Sequence, residues 1–260
     1  MKKRIYAVLM VAMLIVSMCG CGSKKDTFTV GFDAEFPPYG YMDDNGEYVG
    51  FDLDLAAEVC ERNGWEMVKQ PIDWDSKDME LSSGSIDCIW NGFTINGRED
   101  DYTWSSPYVD NSQVFVVAEG SGITDFSGLA GKAVGVQRDS SALSALNNEE
   151  EPMNISLRDS FGSLTEYADY NTAFMDLEAG AIDAVAMDIG VANYQIESRN
   201  GGYVMLSEYL ATEQYGVGFL LSNTELRDKV EKTLQDMAAD GKFMEIAEKW
   251  GLQDSVCLGK

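Results

Sequence analysis

The sequence predicts a two-lobed α/β protein, two βαβ lobes joined by two crossing strands, and three observations carry that expectation. Short β-branched runs alternate with stretches of helical period along most of the chain, the pattern of a largely parallel sheet with helices on its faces. The segment Leu81-Ser82-Ser83-Gly84-Ser85-Ile86-Asp87 is echoed by Leu177-Glu178-Ala179-Gly180-Ala181-Ile182-Asp183. Each copy reads as a helix end, a glycine cap and a buried strand. Val30-Gly31 is likewise echoed by Val134-Gly135, each inside a short strand leading into polar residues. Two echoes suit two lobes of related design, whereas a solenoid needs several repeats at a period of roughly 20–50 residues.

Taken in order, the chain opens with Lys2, Lys3 and Arg4, an apolar run from Ile5 to Met18, and Cys19-Gly20-Cys21, the layout of a secretion leader. The apolar run has 14 residues, short of the ~20 that a membrane-spanning helix needs. Gly20 before Cys21, followed by Gly22-Ser23-Lys24-Lys25, resembles a bacterial lipoprotein cleavage box in which Cys21 becomes the acylated first residue. Met18 stands where Leu is usual, and ordinary secretion with Cys21 as a free thiol is the alternative. Residues 1–20 therefore read as a signal peptide and 21–26 as a lipidated tether.

Phe28 to Phe32 reads as the first strand, followed by a hairpin with Asn45-Gly46 at its turn and Tyr48 to Phe51 returning. Asp43-Asp44-Asn45-Gly46-Glu47 lacks the alternating ligand spacing and distal Glu of a calcium loop, so it reads as a turn. Asp52 is expected to cap a helix with Leu55, Ala56, Val59 and Cys60 on one face and Asn63-Gly64 at its end. Gln113 to Ala118 reads as a strand that crosses out, and Tyr215 to Leu221 as one that follows the return. Thr224 to Ala239 and Lys242 to Trp250 read as helices separated by Asp240-Gly241. The expected lobes are residues 27–114 with 214–260, and residues 115–213 inserted between them, with the cleft as the site.

Composition narrows the function. A hydrophobic fraction of 45% supports a folded domain, and 19 Lys and Arg against 44 Asp and Glu give a net charge of −25, which argues against a nucleic-acid partner. The chain has no His, so the commonest general base and transition-metal ligand is missing. Cys60, Cys88 and Cys257 are too widely spaced for a zinc site or a disulfide framework. Cys60 and Cys88 read as buried small hydrophobes, a bridge between them being the lesser alternative. Neither a metal nor a cofactor is expected.

Ligands of open α/β sheets bind beyond the carboxyl ends of the strands, which selects Asp33 to Tyr39, Asn91 to Arg98, Gln137 to Ser141, and Asp188. Arg98 offers the planar fork that pairs a carboxylate in two parallel bonds, and Thr94 adds a hydroxyl. Ser140 and Ser141 open a helix, where free N–H groups also favour an anion. Asp188 supplies a counter-charge for an ammonium group from the opposite lobe. Plainer readings stand beside these: Arg98 as a surface ion pair with Glu99, Asp100 or Asp101, Asp188 as the N-cap of the next helix, and Phe36 and Trp74 as core aromatics. Glu149-Glu150-Glu151 reads as a solvated loop.

At this point the residues resemble a known family, the polar amino-acid solute-binding proteins of ABC importers, which have the type II periplasmic-binding-protein fold. The resemblance spans residues 28–252. It rests on Gly31-Phe32-Asp33-Ala34-Glu35-Phe36-Pro37-Pro38-Tyr39, Val49-Gly50-Phe51-Asp52-Leu53-Asp54-Leu55-Ala56, Gly84-Ser85-Ile86-Asp87 leading to Arg98, Gly180-Ala181-Ile182-Asp183-Ala184 leading to Asp188, and Asp240-Gly241-Lys242 to Lys249-Trp250. One residue fewer separates Thr94 from Arg98 than in many relatives. The resemblance implies that Arg98, Thr94 and the backbone around Ser140 and Ser141 bind an α-carboxylate, and that Asp188 and the Gly92 carbonyl bind the α-ammonium. It further implies that Phe36 and Trp74 sandwich the ligand side chain while Asp33, Asn91 and Gln137 face its distal polar group.

The expected function is extracytoplasmic capture of a free amino acid, polar, cationic or cystine-like, and its delivery to a membrane permease. The expected protein is a monomer tethered to the bilayer through acylated Cys21 on the outer face of a bacterial membrane. Lysine, arginine, glutamine and cystine all remain open as ligands. An enzyme is not expected; the alternative is a dehydratase or other enzyme on the same fold acting on a small carboxylate, with Asp33, Glu35 or Asp188 as acid or base. A sensory receptor domain is a third class.

Overall fold

The computed structural model describes residues 26–199 and 201–259. The leader, its cleavage box and the acylation candidate Cys21 lie outside the described residues. The chain begins with β1 (Thr27–Phe32), a ribbon of β2 (Glu35–Phe36), β3 (Gly40–Met42) and β4 (Tyr48–Val49), then α1 (Phe51–Asn63) and β5 (Glu66–Pro71). A short 3-10 turn at Trp74–Ser76 leads into α2 (Lys77–Ser83), β6 (Cys88–Ile89) and β7 (Thr103–Trp104). It crosses out on β8 (Val109–Ala118) to β9 (Ala133–Gln137), α3 (Ser141–Leu146), α4 (Pro152–Ser160), β10 (Ser163–Tyr167), α5 (Tyr170–Glu178), β11 (Ala184–Asp188), α6 (Ile189–Ser198) and β12 (Tyr203–Met205). The return is β13 (Ala211–Tyr215), followed by β14 (Gly218–Phe219), α7 (Thr224–Asp240) and α8 (Lys242–Lys249).

Two large sheets result beside the small β2-β3-β4 ribbon, as the two-lobed reading expects. The first has the order β5-β1-β6-β14-β7, and the second β10-β9-β11-β8-β12 with β13 also on β8. β1 runs parallel to β5 and β6, and β9 parallel to β10 and β11. β14 joins β6 antiparallel, so the chain returns to the first sheet after its excursion.

The two echoes are the same packing unit seen twice. Gly84 and Gly180 both take left-handed conformations, with φ of 76° and 70°, and each turns a helix into a buried strand. Asp87 N–H donates to Thr29 O at 2.8 Å while its carboxylate accepts from Thr29 N–H at 2.7 Å. Asp183 makes the same pair of bonds with Ala133, at 2.7 and 2.9 Å. A Cβ on Gly31 would stand 2.4 Å from Ile86 Cδ1, and one on Gly135 2.6 Å from Ile182 Cδ1. The paired Val-Gly steps exist because an isoleucine from the echoed segment fills the space of a side chain.

Helix α1 buries Phe51, Leu55, Ala56, Val59 and Cys60 and ends on left-handed Gly64, as its spacing predicts. Its N-cap is Gly50 and not Asp52. A Cβ on Gly50 would lie 2.1 Å from Tyr39 O, so a glycine is required there, and the Asp52 carboxylate is free to turn inward. It accepts from Gly92 N–H at 2.6 Å and Tyr108 O–H at 2.9 Å. Burial pushes its pKa up to about 7. Two strand limits also differ from the sequence reading. β8 begins at Val109, and the apolar run from Tyr215 divides, because Tyr215 pairs with Val109 in the second sheet whereas Gly218 and Phe219 pair with β6 in the first. Cys60 and Cys88 are buried and unbridged.

Candidate functional site

The loop after β6 positions the cation. Gly97 turns at a φ of 79°, and Arg98 N–H closes the turn on Ile95 O at 2.9 Å. The Arg98 guanidinium lies over the Phe93 ring, 5.4 Å from its centre. It donates to Thr94 O at 3.3 Å and, across the gap between lobes, to Ser141 Oγ at 3.0 Å and Asp139 O at 3.3 Å. Among the described residues no carboxylate lies within ion-pair distance of Arg98, so it is not the surface ion pair of the plainer reading.

Asp188 ends β11 and occupies the N-cap position of α6, yet its side chain makes no cap hydrogen bond. Its Oδ1 instead accepts from Asn111 Nδ2 at 2.8 Å, Gln113 Nε2 at 2.7 Å and Tyr215 O–H at 2.6 Å, and its Oδ2 from Tyr170 O–H at 3.2 Å. Four donors around one buried carboxylate hold it against desolvation, which nonetheless raises its pKa. Thr94, also buried, donates its hydroxyl to Glu213 Oε1 at 2.9 Å. Glu213 escapes the sequence reading. The signal was available: the period-two register of β13 puts it on the same side as buried Tyr215.

A second group gathers at the other end of the cleft. Gln137 Nε2 donates to Asp33 Oδ2 at 2.8 Å and to Ala168 O at 3.1 Å, while Asp33 Oδ1 accepts from Glu35 N–H at 2.8 Å. Burial pushes the Asp33 pKa up to about 6. Trp74 Nε1 donates to Asp139 O at 3.3 Å, and its ring meets Phe93 edge-on. Phe36 packs instead against Tyr39 and Tyr170, so the two aromatics belong to different clusters. Asn91 is 1% exposed, and neither its Nδ2 nor its Oδ1 has a hydrogen-bond partner. Gly92 takes a φ of 57°, and a Cβ there would meet Phe36 and Tyr215 at 2.9 and 3.0 Å. Ser140 caps α3 by accepting Leu143 N–H at 3.2 Å.

Asp139 links both groups. It is a non-glycine residue with a φ of 56°, a strained conformation for which the surroundings must compensate. Its carbonyl receives Trp74 and Arg98, and its carboxylate pairs with Lys77, a lysine only 2% exposed. Lys77 and Asp139 were not singled out as site residues by the sequence, because neither helix period nor turn chemistry shows that α2 faces the loop after β9.

Two cavities open on these groups. One of about 840 Å³ is lined by Arg98, Asp139, Ser141 and Glu213 among others. The other, about 380 Å³, is lined by Asp33, Glu35, Asp73, Trp74 and Asp169, an acidic wall with one aromatic. Among the described residues no group of three or more Cys, Asp or Glu could hold a metal ion. The arrangement suits a small ligand carrying one anionic and at least one cationic group.

The family model of bacterial extracellular solute-binding proteins, family 3, matches residues 28–253. The chain is 26% identical to the L-cystine-binding protein TcyJ of Escherichia coli (strain K12) over 230 residues, 87% of this chain and 83% of that protein. A crystal structure of a substrate-binding protein of an ABC uptake transporter from Streptococcus pneumoniae, with bound histidine, superposes with a TM-score of 0.82 at 35% identity, covering 88% of this chain and 94% of that one. An ancestral arginine-binding protein bound to glutamine superposes with a TM-score of 0.78 at 33% identity, covering 88% and 99%.

Proposed function

Because the chain belongs to the bacterial extracellular solute-binding proteins of family 3, we propose that it captures a free polar amino acid between its lobes and delivers it to the permease of an ABC-type importer. The observation that carries this is the placement of Arg98. A guanidinium without a carboxylate partner among the described residues lines the same cavity as Glu213, whose amide donors it shares with Asp188. A zwitterion supplies the two charges this arrangement lacks.

In this reading Arg98, Thr94 and the backbone around Ser140 and Ser141 take the α-carboxylate, and Asp188 with the Gly92 carbonyl takes the α-ammonium. Phe36 and Trp74 hold the side chain, while Asp33, Asn91 and Gln137 face its distal end. Unpartnered Asn91 supports that last role. The acidic wall of the smaller cavity favours a cationic side chain such as that of arginine or lysine, because a buried or half-buried carboxylate is relieved by a cation. Residues 27–114 with 214–260 form one lobe and 115–213 the other, so closure on the ligand brings both to the permease.

Residues 1–20 serve as the export signal, Cys21 carries the lipid, and residues 21–26 tether a monomer to the outer face of the membrane. The family and the relatives named above are binding proteins, and nothing in them supports the dehydratase alternative. A thermal-shift panel of the twenty amino acids and cystine on the mature chain tests the proposal. Stabilisation by one chemical class, strongest for cationic members, is expected, and no shift from any of them would refute it.

A further inference from the structure

Glu213 lines the cavity in the reading above but is given no ligand contact there, and its surroundings assign it one. It sits opposite Asn111 in the β13–β8 register, so both strands that cross between lobes present polar side chains to one spot. Asn111 Nδ2 donates to Asp188 Oδ1 at 2.8 Å and Glu213 Oε1 at 2.7 Å, and Gln113 Nε2 donates to the same two oxygens at 2.7 Å each. Two buried carboxylate oxygens thus share both amide groups. Like charges held this way do not both ionise without a nearby cation. Burial and the charge of Asp188 push the Glu213 pKa up to about 7.

Two further observations point to a ligand. Asn111 Oδ1 and Gln113 Oε1 are buried without a hydrogen-bond partner, on side chains belonging to residues 4% and 0% exposed. The cluster therefore holds more acceptors than donors, and what would complete it is a cation with several N–H groups. In addition, Glu213 lines the cavity of about 840 Å³ that also contains Arg98 and Ser141, so anion and cation face one space.

We propose that Glu213 is the second carboxylate of the ammonium site: the ligand's ammonium group enters between Asp188 and Glu213 and displaces the proton that the pair shares when the cleft is empty. This rests on the amino-acid-binding reading. The ligand arrives as R–NH3⁺, the pair passes from one negative charge to two, and one proton leaves to solvent; no bond of the ligand changes. The other titratable groups facing the pair are Tyr39, Tyr170 and Tyr215, which burial and the nearby carboxylates keep as neutral hydroxyls, and Arg98 across the cavity. The pair is therefore the source of the proton, and affinity falls as pH drops below neutral.

Calorimetric titration of the mature chain with L-arginine and L-glutamine, in two buffers of different ionisation enthalpy at pH 6.5 and 8, reads affinity and proton count together. About one proton released per ligand at pH 6.5 and fewer at pH 8 are expected. Glu213→Gln should bind about tenfold more weakly and lose the release, while its unliganded unfolding temperature is unchanged or higher because a buried charge is gone. Wild-type affinity in this variant, or binding without proton release in the wild-type chain, overturns the role of Glu213 alone. Should the variant fail to fold, the wild-type proton count still decides. No binding of either amino acid by the wild-type chain counts against the amino-acid reading itself and removes this one with it.

Discussion

In the first lobe Gly31 lies against Ile86 and the Asp87 carboxylate holds Thr29 N–H; in the second, Gly135 lies against Ile182 and Asp183 holds Ala133 N–H. The two scaffolds share these contacts, and the segments that follow them differ. Past the first-lobe strands come Asp33, Asn91, Gly92 and then Arg98, a cation reached through a glycine turn. Past the second-lobe strands come Gln137, Asp139, Ser140, Ser141 and Asp188, the last an anion held by four donors. The comparison teaches that the repeated βαβ unit sets where the cleft lies. A few residues beyond its strands then place opposite charges on the two sides.

The asymmetry is broken most severely at Arg98. Arg98→Ala removes the cation and both of its bonds to the second lobe, so amino-acid affinity should fall at least about a hundredfold, consistent with the ~2–5 kcal/mol cost of truncating one partner of a buried charge pair. Calorimetric titration checks it, and an unchanged dissociation constant would place the carboxylate site elsewhere.

The symmetry of the scaffold is tested by a matched pair. Gly31→Ala and Gly135→Ala each press a methyl group on an isoleucine, and overpacking of this kind costs about 1–3 kcal/mol. Both variants should lower stability in urea unfolding, by similar amounts. A neutral effect at one site and a large one at the other would show that the echo is not one packing unit.

The Lys77–Asp139 pair distinguishes the lobes in a different way, since its lysine is buried in one and its carboxylate stands half-exposed on the other. Asp139→Asn removes the counter-charge that Lys77 meets across the cleft, a loss that matters when the lobes are shut. About tenfold weaker ligand binding is expected, with little change in the unfolding temperature of the unliganded chain. Equal losses in both measurements would mean that the pair supports the fold rather than closure.

The buried carboxylates add a dependence on pH. The folded chain holds protons on Asp33 to about 6 and on Asp52 and Glu213 to about 7, above the ordinary values of 3.8 for Asp and 4.5 for Glu. Between these limits the folded state binds more protons than the unfolded one, so stability falls as pH rises through the window and levels off above about 7. The unliganded unfolding temperature should be higher at pH 5 than at pH 7.5, and Asp52→Asn should flatten the slope. A temperature that climbs with pH would contradict the burial of these groups.

Much of this was legible in the residues, and the rest fails for a common reason. The echoes, the glycine caps and Arg98 announce themselves through local spacing and through being a cation within an acidic chain. Asp188 was placed at a strand end by the same logic. Glu213, Lys77 and the inward turn of Asp52 were missed because their partners are far away in sequence: Asn111 and Gln113 for Glu213, Asp139 for Lys77, and Gly92 and Tyr108 for Asp52. Tyr215 was assigned to the wrong strand because an apolar run does not disclose which of two sheets it joins. Local rules reveal units and their ends; pairings across the cleft require the topology.

The division of charge between the lobes is tested most directly by a crystal structure of the mature chain with the amino acid that stabilises it most. The expected result is a ligand whose carboxylate receives two hydrogen bonds from Arg98 and whose ammonium group donates to Asp188 from the opposite lobe. A ligand bound in the reverse orientation, or one that leaves Arg98 and Asp188 without contact, would contradict the account.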